Sequence, residues 1–334
     1  MHNGSACLRS TLLSAAFCAL VFGATANAAQ QWMPIDVPDS ISTSPLTITG
    51  HNLIVGQYAN GNTSGFMRTP DGAITKFSEP DTTGATNPMG ANYAGDIVGD
   101  FALSDGTSGF LRKSDGTFTA FQIGSDDTHP RAINSKGAIA GYSQSGGTYS
   151  AFLRNPDGSI TPILQGTSAV AIAINRSGVV AGYTVGTWHG FVRGRLGKIT
   201  QFDPPDSIIT NALAINDSGT IAGLFIDAHN GALHGFVRQP DGTITTFDAP
   251  DAPAGTQVRG MDNDGNIVGC AMTNQALSHG FVREPSGTFH IVDAPDATST
   301  CITAIGRAGR LIGQDFDRVG NQHGFLAAPS VWQQ

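Results

Sequence analysis

Charged residues are scarce in this chain, and basic residues are the scarcer kind. Only 13% of the 334 residues are charged, with 18 Lys and Arg against 26 Asp and Glu, so the formal net charge is −8 at pH 7. Binding to nucleic acid needs a basic surface, so no nucleic-acid partner is expected. Glutamate is nearly missing too, since Glu79 and Glu284 are the two present. Aspartate favours turns and glutamate favours helices, so this bias predicts a loop-rich β protein.

Long apolar runs are also lacking, apart from one near the N-terminus. That run, Leu12 to Phe22, follows Arg9 and precedes Ala26-Asn27-Ala28, which is the order of a secretory signal peptide and its cleavage site. It is too short for a membrane-spanning helix, which needs about 20 apolar residues. We therefore predict a signal peptide over residues 1–28, a mature domain over residues 29–334 that is secreted or periplasmic, and no membrane association after cleavage.

Cysteine is rare, and half of it lies in the predicted signal peptide. Cys7 and Cys18 would be removed with that segment, which leaves Cys270 and Cys301. An oxidising exterior would permit these two to form a disulfide. Spacing alone does not decide between a disulfide and two buried thiols, because geometry sets the outcome.

What the chain has in abundance is internal repetition. A small residue and Phe, usually followed by an aliphatic residue and Arg, recur at a mean spacing of about 43 residues, the length of a four-stranded propeller blade. The seven copies begin at Gly65, Gly109, Ala151, Gly190, Gly235, Gly280 and Gly324. A second motif, Gly-x-aliphatic-aliphatic-Gly, keeps the same count and phase, as in residues 219–223. Short β-branched runs bounded by glycine are typical of strands.

Two further strands complete each repeat. The strand upstream of the glycine-bounded motif has a small residue at its centre in every copy, and blades have least room at the axis, so we assign this strand to the innermost position. It ends in Asn in four copies, which we interpret as a structural turn residue. The fourth strand follows a turn such as Pro240-Asp241-Gly242, in which proline and glycine suit the two corners.

The pattern therefore predicts an all-β, seven-bladed β-propeller with four-stranded blades in a single domain. The seventh copy ends soon after Gly324-Phe325-Leu326 and lacks a fourth strand. Residues 31–39 align with residues 243–251, which contain the fourth strand of the fifth copy. We predict that the N-terminal strand completes the last blade and closes the ring, which removes exposed sheet edges.

In order, the motifs His-Gly-Phe, Pro-Asp-Gly, Ile-Asn-x-x-Gly and Gly-x-Ile-aliphatic-Gly resemble the bacterial extracellular repeat family called HAF. The resemblance covers essentially the whole mature chain. It implies an extracellular repeat protein of propeller type and brings no agreed catalytic residues. The first three copies depart from the pattern, because Ser64, Ser108 and Ser150 stand at the position of its histidine.

Two columns of repeated side chains could hold a metal ion or serve the scaffold. Four histidines precede the glycine of the Phe motif, but their spread around a ring and the serines of other copies favour structural hydrogen bonding over metal ligation. They are His189, His234, His279 and His323. Five aspartates follow proline after the fourth strand and could bind Ca²⁺ as a cofactor, although we favour a structural role in turns. They are Asp39, Asp81, Asp206, Asp251 and Asp296.

Side chains that break the repeat are better functional candidates, because the scaffold does not require them. On the innermost strand these are His129, Arg131, Gln257 and Arg259, and in the loops before the Phe motif they are Trp188, Asp227 and His229. An arginine pair near a channel mouth suits a carboxylate or an acidic sugar. Trp188 could stack on a sugar ring or cover a blade.

These observations favour a binding or interaction propeller that uses one face for a small molecule, a glycan or a protein, and we expect a monomer. Local catalytic motifs such as a nucleophile elbow or a phosphate loop are lacking. The second hypothesis is an extracellular lyase or hydrolase acting on carbohydrate, since propeller enzymes assemble sites from several blades. It requires His129, Arg131, Arg259 and His229 to gather around one cavity. The third is a surface structural repeat protein with no small-molecule site.

Overall fold

The computed structural model describes residues 31–274 and 277–333, so the predicted signal peptide lies outside the described residues. The described chain forms 28 strands and two short 3₁₀ turns, at Arg307–Gly309 and Pro329–Val331. In these ranges no helix has the length and apolar character that crossing a membrane would require.

The strands form seven antiparallel sheets of four, and each sheet is one blade. The first strands of blades 1 to 7 are β2 (Ser42–Ile48), β6 (Thr86–Ala91), β10 (Asp127–Ile133), β14 (Ala169–Ile174), β18 (Ser207–Ile215), β22 (Gly255–Met261) and β26 (Ser299–Ile305). The second strands are β3 (Ile54–Asn60), β7 (Ile97–Leu103), β11 (Ile139–Ser145), β15 (Val180–Thr184), β19 (Ile221–Asp227), β23 (Ile267–Met272) and β27 (Leu311–Phe316). The third strands are β4 (Asn62–Arg68), β8 (Gly106–Arg112), β12 (Thr148–Arg154), β16 (Gly190–Arg193), β20 (Leu233–Arg238), β24 (Ser278–Arg283) and β28 (Gln322–Ala327). The fourth strands are β5 (Ile74–Phe77), β9 (Phe118–Phe121), β13 (Ile160–Pro162), β17 (Ile199–Phe202), β21 (Ile244–Phe247), β25 (Phe289–Val292) and, in blade 7, β1 (Trp32–Pro34).

The first strand of each blade is the innermost, as the small central residues indicate. A Cβ added to Gly90 would lie 3.0 Å from the carbonyl oxygen of Arg131 and 3.1 Å from Cα of Ala132, both on the next blade. The backbones of neighbouring blades therefore nearly touch at this level. The seven-bladed propeller predicted from the repeats is confirmed.

The phenylalanine of each repeat forms the core of its blade. Six of these rings are no more than 2% exposed and the seventh is 3% exposed. They are Phe66, Phe110, Phe152, Phe191, Phe236, Phe281 and Phe325. In blades 2, 3, 5 and 6 the arginine of the same motif packs against an aromatic ring of the preceding blade. Arg283 Cζ, for example, lies 4.7 Å from the centre of the Phe247 ring of the preceding blade, a cation–π contact.

The N-terminal strand closes the ring, as predicted. Strand β1 pairs antiparallel with β28, with Trp32 opposite Ala327 and Pro34 opposite Phe325. The backbone N–H of Ile35 donates to the carbonyl of Gly324 at 2.7 Å. Without this pairing β28 would present an unpaired edge. Strand β1 therefore supplies the fourth strand of blade 7.

The asparagine column holds turns and also joins blades. Oδ1 of Asn134 accepts hydrogen bonds from the backbone N–H groups of Lys136 and Ala138, each at 3.0 Å. Its Nδ2 donates to the carbonyl of Asn175 on the next blade at 3.2 Å. Asn92 and Asn175 make the same bond onward, at 3.3 and 3.0 Å. The turn role is confirmed, and the link between blades is an addition that the sequence did not reveal.

The remaining cysteines connect the last two blades. Cys270 on β23 and Cys301 on β26 are joined by a disulfide, with their Cα atoms 4.9 Å apart. Both are buried. The bond therefore ties blade 6 to blade 7 close to the ring closure.

Candidate functional site

All seven innermost strands are bulged at the same place. In blade 3 the register shifts between Pro130 and Ala132, so Arg131 has no cross-strand partner. The closing glycine of the second-strand motif allows this, since a Cβ on Gly141 would collide with the carbonyl oxygen of His129. The residues at the bulge are Leu46, Met89, Arg131, Ile172, Leu213, Arg259 and Thr303.

The bulge residues face the central channel. Pro130 contacts Gly109 and Ala132 contacts Gly90, both on the preceding blade. Arg131 Nη1 donates to Sδ of Met89, the bulge residue of the preceding blade, at 3.3 Å. Solvent reaches Arg131 and Arg259 although both lie on innermost strands, so the space that they border is the central channel. Arg131 and Arg259 are the charged members of this channel-facing column.

His129 and its neighbours form a polar group on the channel wall of blades 2 to 4. Its Nδ1 lies 3.1 Å from Oδ2 of Asp100, and Oδ1 of Asp100 accepts a hydrogen bond from Asn87 Nδ2 at 2.9 Å. The Asp100 side chain is 6% exposed and that of His129 18% exposed. The imidazole also stacks on the Tyr142 ring, with 4.9 Å between ring centres. A buried carboxylate at Nδ1 fixes the ring orientation, and Nε2 makes no hydrogen bond within the described chain.

Arg131 and two tyrosines complete this group, which we call the channel cluster: Asp100, His129, Arg131, Tyr142 and Tyr183. Arg131 Cζ lies 5.6 Å from the centre of the Tyr142 ring. Burial raises the pKa of Tyr142 and of Tyr183, although the Arg131 charge acts in the opposite direction on both. Both phenols therefore stay protonated at neutral pH and can donate hydrogen bonds.

Gln257 and Arg259 lie on β22, three blades away in the ring of seven. Arg259 Nη2 donates to Gln257 Oε1 at 3.0 Å. Solvent reaches the Arg259 side chain, yet the surrounding wall desolvates it and thereby lowers its pKa. In the described ranges neither Arg131 nor Arg259 forms an ion pair with a carboxylate.

The loop candidates lie elsewhere and shape their own loops. Trp188 has a left-handed backbone, with φ of 60°, and its carbonyl accepts a hydrogen bond from the N–H of Thr210 on the next blade. Asp227 accepts from the N–H groups of His229 and Asn230, at 2.7 and 3.1 Å, and these bonds lower its pKa. The His229 side chain is 73% exposed.

The four residues named for an enzyme are therefore not all brought together. His129 and Arg131 share the channel cluster, Arg259 lies three blades further round, and His229 is in an exposed loop. The structure supports a site built from the first two and does not include His229 in it.

A central funnel of about 800 Å³ opens on the face where the first strands end. We define it by an apolar floor and a polar rim. The floor is formed by Ile48, Ala91, Ile133, Ile174, Ile215, Met261 and Ile305. The rim includes Tyr93, Arg176, Asp217, Asn263 and Arg307. The Asn-x-x-Gly turns at this end are tight, as in the bond from the N–H of Gly137 to the carbonyl of Asn134, and are too short to cover the axis.

The five proline-linked aspartates lie in separate turns. Asp39, Asp206, Asp251 and Asp296 have positive φ values of 62°, 58°, 53° and 61°. At Asp39 the N–H of Ser40 bonds to the carbonyl of Val37, so proline and aspartate occupy the two corners of a type II turn. In the described part of the chain, no three His, Cys, Asp or Glu side chains converge in a way that could hold a metal ion.

The repeated histidines each pair with an aspartate just beyond the fourth strand. The Nδ1 atoms of His189, His234 and His279 lie 2.6, 2.6 and 2.8 Å from Asp203, Asp248 and Asp293. His323 pairs in the same way with Asp36 beside the closing strand, at 3.2 Å. The structural interpretation of this column is confirmed.

The sequence analysis did not identify the aspartate partners of the repeated histidines or three members of the channel cluster. Three of the histidine partners sit 14 residues downstream, a constant spacing that could have revealed them. Asp100, Tyr142 and Tyr183 each follow the closing glycine of the second-strand motif, where other copies have Gln, Leu or Cys. These three residues break the repeat at this position, a signal that could have identified them as candidates together with His129 and Arg131.

Comparison with known proteins bears on the fold. No family model and no curated protein matches the chain. A solved streptogramin B lyase is 15% identical and matches 90% of this chain and 98% of its own with a TM-score of 0.59. Virginiamycin B lyase from Staphylococcus aureus is 12% identical over 89% and 99%, with a TM-score of 0.61. The β-propeller domain of the Trilobed protease from Pyrococcus furiosus is 9% identical over 86% and 96%, with a TM-score of 0.58. At such identities the likeness concerns the fold alone, and by fold this chain is a seven-bladed β-propeller.

Proposed function

We propose that this protein is a binding propeller that takes an acidic ligand into its central channel, between Arg131 and Arg259. The observation that carries the proposal is that two arginines at one repeat position face the channel without an ion-pair partner in the described chain. Desolvation of an unpaired cation costs free energy, which a bound carboxylate would offset.

The surroundings of the two arginines suit a carboxylate carried on a larger molecule. The face of the Arg131 guanidinium lies toward Tyr142, and Nη1 donates to Met89 Sδ at 3.3 Å, so its other N–H groups remain for a carboxylate. Apolar members of the same column, Leu46, Ile172 and Leu213, supply surface for the body of the ligand. An acidic sugar, with carboxylates on an otherwise hydroxylated ring, is the ligand class we favour.

Binding of trigalacturonate, measured by titration calorimetry, tests the proposal, with neutral maltotriose as the control ligand. We expect trigalacturonate to bind and added salt to weaken it. Arg131→Gln and Arg259→Gln should each weaken binding about tenfold or more, because a hydrogen bond to a charged group contributes about 1.5–3 kcal/mol. Arg318→Gln, on a side chain that is 81% exposed, is the matched control and should leave binding unchanged. Equal binding by all three variants, or no acidic ligand on a glycan array, would overturn the proposal.

An extracellular enzyme is the second candidate, on a narrower basis than the sequence suggested. The four-residue site that this hypothesis required does not form, and only His129 and Arg131 of the four share the channel cluster. The paired His129 and Asp100 on the channel wall favour it, and proteins of similar fold include the two lyases described above.

We also propose that the chain is exported. Its disulfide is compatible with an oxidising compartment, and N-terminal sequencing of the processed protein should find the first residue after Ala28.

A further inference from the structure

We propose that the channel cluster is an acid–base centre that cleaves a uronate-containing oligosaccharide by β-elimination. The inference rests on the proposed binding of an acidic ligand, because Arg131 must hold the carboxylate of the sugar next to His129. It assigns a reaction class and named roles to residues of blades 2 to 4.

The geometry gives His129 the position of a base. Asp100 is buried, engages Nδ1 of His129 and is itself held by Asn87. Nε2 of His129 makes no hydrogen bond within the described chain, while the ring is stacked on Tyr142 and reached by solvent. An imidazole whose Nδ1 faces a carboxylate and whose Nε2 makes no hydrogen bond is placed to accept a proton at Nε2. The other His–Asp pairs lie at the outer edges of blades 4 to 7, away from the two channel arginines.

The chemistry follows from the placement of the three groups. His129 Nε2 removes the proton from the ring carbon next to the carboxylate, while Arg131 stabilises the negative charge that develops on that carboxylate. The electron pair of the broken C–H bond forms a carbon–carbon double bond, and the bond from the neighbouring carbon to the glycosidic oxygen breaks. Tyr142 donates its phenolic proton to the leaving oxygen and is then reprotonated by the imidazolium. No water is consumed, and neither an oxidant nor a reductant is needed.

Cleavage of polygalacturonate by the purified full chain tests the inference. The expected product carries a conjugated double bond and is followed by ultraviolet absorbance, with mass spectrometry to show that no water has been added. His129→Gln should lower kcat about 100- to 10,000-fold, the usual contribution of a general base. Tyr142→Phe, which keeps the ring, should lower kcat by a similar factor. Asp100→Asn, which alters a positioning residue, should lower kcat and displace the pH profile while KM stays nearly constant.

The matched control is His234→Gln, which removes an imidazole of the same His–Asp geometry on the outer edge of blade 5. It should cleave like the unaltered protein. His129→Gln should still bind trigalacturonate, which shows that the variant is folded. Binding without cleavage by the unaltered protein, or undiminished cleavage by His129→Gln, overturns the catalytic inference and leaves the binding proposal standing. Absence of binding by the unaltered protein overturns both.

Discussion

Truncation of Ile35 tests how much of the stability depends on the closing strand. Ile35 is completely buried in a cluster that joins blades 7 and 1. Its partners there are Val37, Ile54, Phe66, Ile312 and Leu326. Ile35→Ala removes buried apolar volume and leaves a cavity, which costs about 2–5 kcal/mol. That is a large part of the free energy of unfolding of an ordinary domain, about 5–15 kcal/mol.

Urea denaturation followed by circular dichroism measures this loss. The matched control is Ile291→Ala, on the fourth strand of blade 6, where the side chain is 43% exposed and the cost should stay below about 1 kcal/mol. Deleting residues 30–38 should act more severely, because it also removes the bond from Ile35 to Gly324 and leaves β28 as an open edge. If Ile35→Ala and Ile291→Ala unfold at the same urea concentration, or if the deletion leaves the melting temperature unmoved, the reasoning on ring closure is wrong.

Three further predictions concern the scaffold. Replacing both Cys270 and Cys301 by Ser should cost about 2–4 kcal/mol in urea denaturation, because the disulfide spans 31 residues, and a change near zero would contradict this. Asn134→Ala should lower the free energy of unfolding by about 1–3 kcal/mol in the same assay, because two turn N–H groups and the carbonyl of Asn175 lose their hydrogen-bond partner. The control Asn321→Ala, at an exposed residue, should cost less. Desolvation lowers the pKa of His323, but bonds to Asp36 and Asp317 and the nearby charge of Asp315 together raise it above its ordinary value of about 6.5. The stability from this pair is therefore full below pH 6.5 and lost as pH rises through the folded-state pKa, so the melting temperatures of the unaltered protein and His323→Gln should converge at alkaline pH.

The fold could be predicted almost completely because each blade repeats the same physical requirements. The turn glycines supply positive φ, as at Gly242 with φ of 98°, and the closing glycines meet a carbonyl of the innermost strand. The N-terminal strand could be assigned to blade 7 because residues 31–39 align with a fourth strand elsewhere. What remained hidden were contacts between blades, such as the bond from Asn134 to Asn175, since a repeat describes one blade and says little about its neighbour.

The candidate site could be predicted only in part, for a related reason. His129 and Arg131 stood out because they break the repeat of the innermost strand. Asp100, the partner of His129, lies 29 residues upstream on another blade, and nothing in the local sequence links the two. The glycine that accommodates the bulge at Arg131 is Gly141 on the neighbouring strand, so the pattern of β10 itself did not show where the Arg131 side chain lies.

The pairing of β1 with β28 also sets an order of events for the growing chain. Asp36 and His323, which meet beside this pairing, are 287 residues apart. The first strand to be synthesised must therefore remain unpaired until the last strand of the domain has been made. Blades 1 to 6 can form in succession, whereas blade 7 is complete only when β28 pairs with β1. A chain that stops before Gln322 leaves β1 without a partner, so the ring cannot close in the manner seen here.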